Sequence, residues 1–120
     1  MLEIIQGMPD NVVAVSARGD VTGDDYDTLL IPFIEGKLKT LEKVRVLYVL
    51  GPEFTGFTAG AMWDDAKIGL RHLTSYERIA MVTDVSWIAS AVKFLSFLVP
   101  CPIRIFGNDG LAEAIAWISE

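Results

Sequence analysis

Three short apolar runs, separated by stretches with helical spacing, constrain the fold more than any other feature of this chain. They are KVRVLYVL (Lys43–Leu50), RIAMV (Arg78–Val82) and IRIF (Ile103–Phe106). An apolar run bounded by turn residues is typical of a strand that is covered on both faces. Strands that alternate with helices join through βαβ crossovers. The sequence therefore predicts an α/β fold with a largely parallel sheet and helices packed on it.

The start of the chain shows a different pattern. Apolar residues at Ile4 and over Asn11–Gly19 predict two strands joined by turn residues, so a β-hairpin should lead the fold. Thr22, with Asp25 three residues later, predicts a helix N-cap, and Pro32 should kink or divide the helix that follows. Further helices are predicted over Gly60–Leu73, Ser86–Leu98 and Leu111–Ile118.

The length and composition fit one domain. A chain of 120 residues, of which 52% are hydrophobic, can bury most of its apolar surface around a single core. The sequence shows no internal repeat, linker or low-complexity segment that would mark a boundary. We therefore expect residues 1–120 to form a single domain.

Charge and cysteine content exclude several classes of function. A formal net charge of −6 would repel a nucleic-acid backbone. The N-terminus has no basic segment before an apolar run, and Lys93, Pro100 and Pro102 interrupt the most apolar stretch, so no leader or membrane span is predicted. The single cysteine, Cys101, excludes an internal disulfide and a thiolate metal cluster. We predict a cytoplasmic protein with no nucleic-acid partner, integral membrane association, metal or cofactor.

The segment GPEFTGFTAGAMWDD, residues 51–65, resembles a phosphate-binding loop in the spacing of Gly51, Gly56 and Thr58. Such a loop needs a lysine to contact the phosphates, but Phe57 stands in that position. Glu53 adds a negative charge where a bound polyphosphate would require a positive one. The segment therefore predicts an apolar surface rather than a nucleotide site.

Acidic residues and the one histidine are better explained by helix ends than by catalysis. Asp64 and Asp65 are adjacent on a predicted helix, so their side chains diverge by about 100° and do not converge on one small substrate. Both favour the early turns of that helix electrostatically, and His72 favours its last turn. Asp84 precedes another helix and is predicted to cap it with Thr83 or Ser86. We predict no catalytic residues, and an enzyme using Asp64, Asp65 or His72 ranks third among the alternatives.

Aromatic and sulfur-containing side chains concentrate near the segment that follows the predicted central strand. Ligand sites in open α/β sheets lie outside the carboxyl ends of the strands. An apolar small-molecule site is therefore predicted in this region. Its candidate residues are Phe54, Phe57, Met62, Trp63 and Trp87.

The segment SWIASAVKFLSFL, residues 86–98, carries more apolar residues than one buried helix face requires. Phe97 falls among its polar positions, where contact with solvent is expected. Together with Phe94 and Val99 it forms a candidate interface for a protein partner or a second copy of the chain.

Five stretches carry a resemblance to a known family. They are GDVTGDDYDTLLIP, VRVLYVLGPEF, GAMWDDAKIGLRHL, YERIAMVTD and PIRIFGNDGLAEAIAW. Together they resemble the SpoIIAA-like family of small bacterial proteins over essentially the whole chain. The resemblance implies a single domain similar to anti-sigma factor antagonist (STAS) domains, and more loosely to CRAL-TRIO lipid-binding domains. It implies no established biochemical activity.

The resemblance does not extend to the phosphorylation switch of anti-sigma factor antagonists. Those proteins carry a serine in the loop after a central strand, and phosphorylation there changes docking on a kinase partner. The corresponding segment here contains Thr55 and Thr58 but no serine. The sequence thus predicts a non-catalytic protein-interaction or regulatory module without a phosphoserine switch. The alternative is a carrier or sensor of an apolar small molecule, as the CRAL-TRIO likeness implies.

Overall fold

The computed structural model describes residues 1–72 and 74–120, and the side chains of all of these except residues 66, 68–70 and 95. Five strands form one sheet. They are β1 (Leu2–Ile4), β2 (Val12–Val21), β3 (Val44–Phe57), β4 (Tyr76–Thr83) and β5 (Ile103–Phe106).

Helices connect the strands and end the chain. They are α1 (Gly23–Asp25), a π-helical segment (Tyr26–Leu30), α2 (Ile31–Leu38), α3 (Ala59–Arg71), α4 (Ser86–Leu95), a 3-10 turn (Asn108–Gly110) and α5 (Leu111–Ser119). No helix in residues 1–72 or 74–120 is both long enough and apolar enough to cross a membrane.

The strands lie in the sheet in their sequence order, β1-β2-β3-β4-β5. β1 pairs with β2 in the antiparallel direction, and each later strand pairs with its predecessor in parallel. The predicted leading hairpin and the largely parallel sheet are therefore confirmed. Each parallel pair is joined through helical structure, as βαβ crossovers require.

The two faces of the sheet pack against different helices. Alternate residues of β2 and β3, including Val15 and Tyr48, pack with the crossover helices through residues such as Tyr26 and Ile88. The intervening residues, including Leu47, pack with α5 through Ile118. The period of two along each strand explains this division. Every central strand is covered on both faces, which accounts for its continuous apolar sequence.

The first helical region begins as the sequence predicts. The Thr22 hydroxyl accepts a hydrogen bond from the Asp25 backbone N–H at 3.3 Å, and the Thr22 N–H donates to Asp25 Oδ2 at 2.8 Å. This reciprocal pair is a capping box. Pro32 lies in the first turn of α2, directly after the π-helical segment, so the region is divided where the proline was expected to divide it.

The predicted ends of β3 and α4 differ from the structure. β3 continues past Leu50 to Phe57, because β2 continues alongside it and pairs Val21 with Phe57. The predicted loop is thus a strand extension. α4 ends at Leu95 instead of Leu98, because the Phe97 N–H bonds the Phe94 carbonyl in a tighter turn ahead of Pro100. The predicted end of α3, Leu73, lies outside the described residues.

Candidate functional site

A pocket of about 200 Å³ lies between α3 and α4, above the middle of β3 and β4. Tyr48 of β3 and Met81 of β4 are paired neighbours in the sheet and form its floor. The other lining residues come from the π-helical segment, the end of β3 and the two helices. They are Tyr26, Phe57, Met62, Asp65, Trp87, Ile88, Ala91 and Val92.

Three polar side chains meet in this apolar pocket. The Tyr26 hydroxyl donates to Asp65 Oδ1 at 2.9 Å. The Tyr26 and Tyr48 oxygens are 3.0 Å apart. Because the one Tyr26 proton is directed to Asp65, the Tyr48 hydroxyl donates to Tyr26. The result is a chain of hydrogen bonds that runs from the sheet to α3.

The surrounding protein shifts the pKa values of all three groups. Protein atoms around Asp65 raise the pKa of its carboxyl, and the hydrogen bond from Tyr26 offsets only part of that effect. Water nevertheless reaches the Asp65 side chain, because the pocket is open to solvent. Burial, and then the nearby Asp65 charge, raise the pKa of the Tyr26 hydroxyl, and burial does the same for Tyr48. Both tyrosines therefore stay neutral over the physiological range.

The two adjacent carboxylates of α3 lie in different environments. Asp64 is buried beside α1 and its Oδ1 contacts Lys67 Nζ at 3.1 Å. Asp65 points into the pocket and bonds Tyr26. The two do not converge, as their helical spacing predicts. The interpretation of Asp65 as an electrostatic contribution to its own helix stays a prediction, and it did not include this partner on another element.

The structure brings three of the five predicted ligand-site residues into the pocket lining: Phe57, Met62 and Trp87. Phe54 does not line it, but packs on Phe57 with 5.0 Å between ring centroids. Trp63 is 67% exposed and turned away from the pocket lining. On a helix, Trp63 and Met62 differ by one position and therefore face different directions.

Sequence reasoning missed the polar members of the site, Tyr26 and Tyr48. A signal was present, because Tyr48 lies within a strand that the sequence predicts to be buried on both faces. A buried tyrosine hydroxyl usually has a hydrogen-bond partner. Tyr26 and Asp65 are separated by 39 residues, and no local pattern joins them.

The predicted interface residues lie at and after the end of α4. Phe97 is 89% exposed and Phe94 is 73% exposed, while Val99 is half-buried. Leu98 is also exposed beside them. These residues form an apolar patch, here called the α4 patch (Phe94, Phe97 and Leu98), and its role as an interface stays a prediction.

His72 and Asp84 each have a structural partner that is distant in sequence. His72 Nε2 lies 3.4 Å from Glu35 Oε1 on α2.

Asp84 does not cap α4, contrary to the sequence interpretation. Its Oδ1 instead accepts from the Asn108 N–H at 2.9 Å, because the ends of β4 and β5 are neighbours. Cys101 is half-buried, and burial raises the pKa of its thiol. Over residues 1–72 and 74–120, His, Cys, Asp and Glu form no group arranged to hold a metal ion.

Comparisons with known proteins agree with this architecture. The sequence model of the SpoIIAA-like family matches residues 12–119. A crystal structure of an uncharacterized protein of the DUF3478 family with a SpoIIAA-like fold, from Shewanella loihica PV-4, is similar with a TM-score of 0.78. The sequences are 24% identical, and the similarity covers 98% of this chain and 92% of that chain. A search among curated proteins finds no match.

The family match spans nearly all the strands and helices described above, and the solved structure repeats their arrangement. Both findings confirm the α/β fold and the resemblance that the sequence predicted. The chain belongs to the SpoIIAA-like family.

Proposed function

We propose that this protein binds a small molecule with an apolar body in the pocket between α3 and α4, without transforming it. The observation that carries the proposal is a 200 Å³ pocket whose walls are mostly apolar and whose few polar groups meet at one place. This is the usual construction of a small-molecule site, in which apolar walls supply affinity and a few polar groups fix orientation.

Binding fits the site better than catalysis does. The three groups that could act as acids or bases have separate partners: Asp64 contacts Lys67, Asp65 bonds Tyr26, and His72 lies beside Glu35. A reaction centre would bring such groups within hydrogen-bond reach of one substrate atom. The proposal therefore assigns the protein a carrier or sensor role in the cytoplasm.

A second candidate function is the protein-interaction or regulatory role implied by the likeness to anti-sigma factor antagonists. It is favoured by the α4 patch, where Phe94 and Phe97 expose most of their side chains. The pocket and the patch share helix α4, which supplies Trp87 to the first and Phe94 to the second. A ligand that contacts Trp87 would thus touch the element that carries the patch.

Native mass spectrometry of the purified protein, followed by thermal unfolding with a panel of single-ring compounds, tests the proposal. A ligand present at about 100 times its Kd adds about 2.7 kcal/mol to stability. For a chain of this size that raises Tm by roughly 10 °C.

A matched pair of variants ties the effect to the pocket. Ala91→Phe places a ring in the pocket lining and should abolish the ligand-induced rise in Tm. Ser90→Phe adds a ring at an exposed position of the same helix outside the lining, and should keep it. If no compound raises Tm and no small molecule is retained, or if both variants respond like the wild type, the proposal fails.

A further inference from the structure

A charged side chain, Asp65, lines the pocket and faces a bound molecule. Among its described lining residues Asp65 is the one carboxylate, and no lysine, arginine or histidine is present. The basic residue nearest in sequence, Lys67, instead contacts Asp64. A ligand therefore meets a negative charge that no described lysine, arginine or histidine of the lining compensates. The net charge of −6 adds a general attraction for cations.

The hydrogen bonds leave acceptors, not donors, for the ligand. Tyr26 gives its proton to Asp65 Oδ1, and Tyr48 gives its proton to Tyr26. Each phenol has a single proton, so neither has one left to donate. Asp65 Oδ2 has no hydrogen-bond partner among the described residues. The polar end of the pocket is thus complementary to a group that donates several hydrogen bonds.

The aromatic walls favour a cation as well. The rings of Trp87, Phe57 and Tyr48 line the same pocket as Asp65. Aromatic faces attract ammonium groups, and the attraction persists at solvent-exposed sites, where it is weaker than in buried ones. An engineered cavity of about 150 Å³ accepts benzene, so a pocket of about 200 Å³ has room for one ring with a short arm.

We infer that the ligand is a small primary amine in its cationic form, whose ammonium group binds Asp65 Oδ2 while its apolar body fills the space between α3 and α4. This inference rests on the proposed function of the pocket. It adds the chemical class of the ligand and the residue that selects it.

Protonation supports the same assignment. The apolar surroundings that raise the pKa of Asp65 disfavour its unpaired charge, and a bound ammonium would restore that charge. The titratable groups that face Asp65 are Tyr26, Tyr48 and Tyr76, and each has a raised pKa, that of Tyr76 being about 12. Amine binding should therefore strengthen as the pH rises towards about 8, where an alkylammonium is still charged.

Three probes of similar shape test the inference: 2-phenylethylamine, 2-phenylethanol and 3-phenylpropionate. Their affinities are measured by isothermal titration calorimetry at about pH 8 and constant ionic strength. A hydrogen-bonded charge pair predicts that the amine binds about tenfold or more tightly than the alcohol. The carboxylate should bind most weakly, because it meets Asp65 with the same charge.

Two variants of α3 distinguish the contribution of Asp65 from that of the adjacent Asp64. Asp65→Asn keeps the side-chain shape without the charge and should remove the preference for the amine while alcohol binding persists. Asp64→Asn neutralises the carboxylate that contacts Lys67 and should keep the preference. Circular dichroism checks that both variants fold. If Asp65→Asn does not fold, the ranking of the three affinities measured on the wild type tests the amine assignment by itself.

The outcomes distinguish this inference from the proposal on which it rests. Equal binding of the amine and the alcohol, or tightest binding of the carboxylate, overturns the amine assignment but leaves a small-molecule pocket. Amine preference that survives Asp65→Asn also overturns it, because another group would then carry the selectivity. If none of the three probes binds and no compound of the panel raises Tm, both the amine assignment and the small-molecule pocket are rejected.

Discussion

Tyr26 is the residue on which the polar end of the pocket depends. Its hydroxyl accepts from Tyr48 and donates to Asp65, and its side chain is fully buried. Loss of this hydroxyl would leave the buried Tyr48 hydroxyl without its acceptor and Asp65 without its donor, and a buried polar group without a partner costs more than the bond itself contributes.

We therefore expect Tyr26→Phe to lower the free energy of unfolding by roughly 1–3 kcal/mol, measured by urea denaturation. Tyr48→Phe is the matched control. It should lower the free energy of unfolding by less than Tyr26→Phe does, because Asp65 keeps its hydrogen-bond donor in that variant. An equal or larger loss in Tyr48→Phe would contradict the direction assigned to the hydrogen-bond chain.

Asp65 gives a second prediction at this scale, a pH dependence of stability. Its pKa in the folded protein is raised above the ordinary 3.8. The folded state therefore holds this proton more strongly than the unfolded state does. The stabilising contribution is complete below the unfolded pKa and is lost as the pH rises through the folded one.

We expect the stability of the wild type relative to Asp65→Asn to fall as the pH rises above the ordinary carboxyl pKa of 3.8, measured by urea denaturation at each pH. The difference between variants cancels other groups such as Asp25, whose pKa is lowered and whose effect has the opposite sign. A difference that rises with pH, or that Asp64→Asn reproduces, would contradict the assignment of this pH dependence to Asp65.

Close contact with α1 fixes the position of α3, one of the two helices that line the pocket. A Cβ added to Gly23 would lie 3.3 Å from Asp64 Oδ2 and 3.4 Å from the Gly60 carbonyl carbon. The second contact is at van der Waals distance, so the Asp64 side chain, which contacts Lys67, is the group that would have to shift. Glycine at position 23 therefore allows α3 to approach closely enough to place Asp65 beside Tyr26.

We expect Gly23→Ala to destabilise the fold by about 1–3 kcal/mol, since added volume at a close contact forces displacement. Gly36→Ala in α2 is the matched control. A Cβ there meets no atom within 4 Å, so the same change should stabilise by about 0.4–1 kcal/mol. Thermal denaturation of both variants measures the contrast, and a stabilising effect at Gly23 would show that the contact is looser than described.

Prediction from the sequence succeeded where an element carries its own signal. IRIF is bounded by proline and glycine, and β5 has the predicted ends, Ile103 and Phe106. It failed where partners are distant in sequence. Gly51 and Pro52 read locally as the end of a strand, yet pairing of β2 with β3 continues to Phe57. The Asp65 contact with Tyr26 also depends on how α3 lies on the sheet, which helical spacing does not specify.

At the scale of the whole molecule, the α4 patch is where association would occur. An exposed apolar patch of this kind marks an interaction surface more often than a single exposed side chain does. We expect wild-type protein to self-associate through it and Phe97→Asp to be monomeric by light scattering. Trp63→Asp, an equally drastic change at an exposed position on α3, serves as the control. An unchanged mass in Phe97→Asp would remove the self-association hypothesis.

The position of α5 has a consequence for synthesis on the ribosome. Neighbouring strands pair in sequence order, so β1 to β4 can assemble as they emerge. The face that carries Val12, Leu47 and Val82, however, packs against α5. Since α5 is translated after every strand, this face stays uncovered on the nascent chain until residues 111–119 leave the exit tunnel. We therefore expect the docking of a short helix to be the event that covers the second face of the sheet, which stays apolar and exposed until α5 has been made.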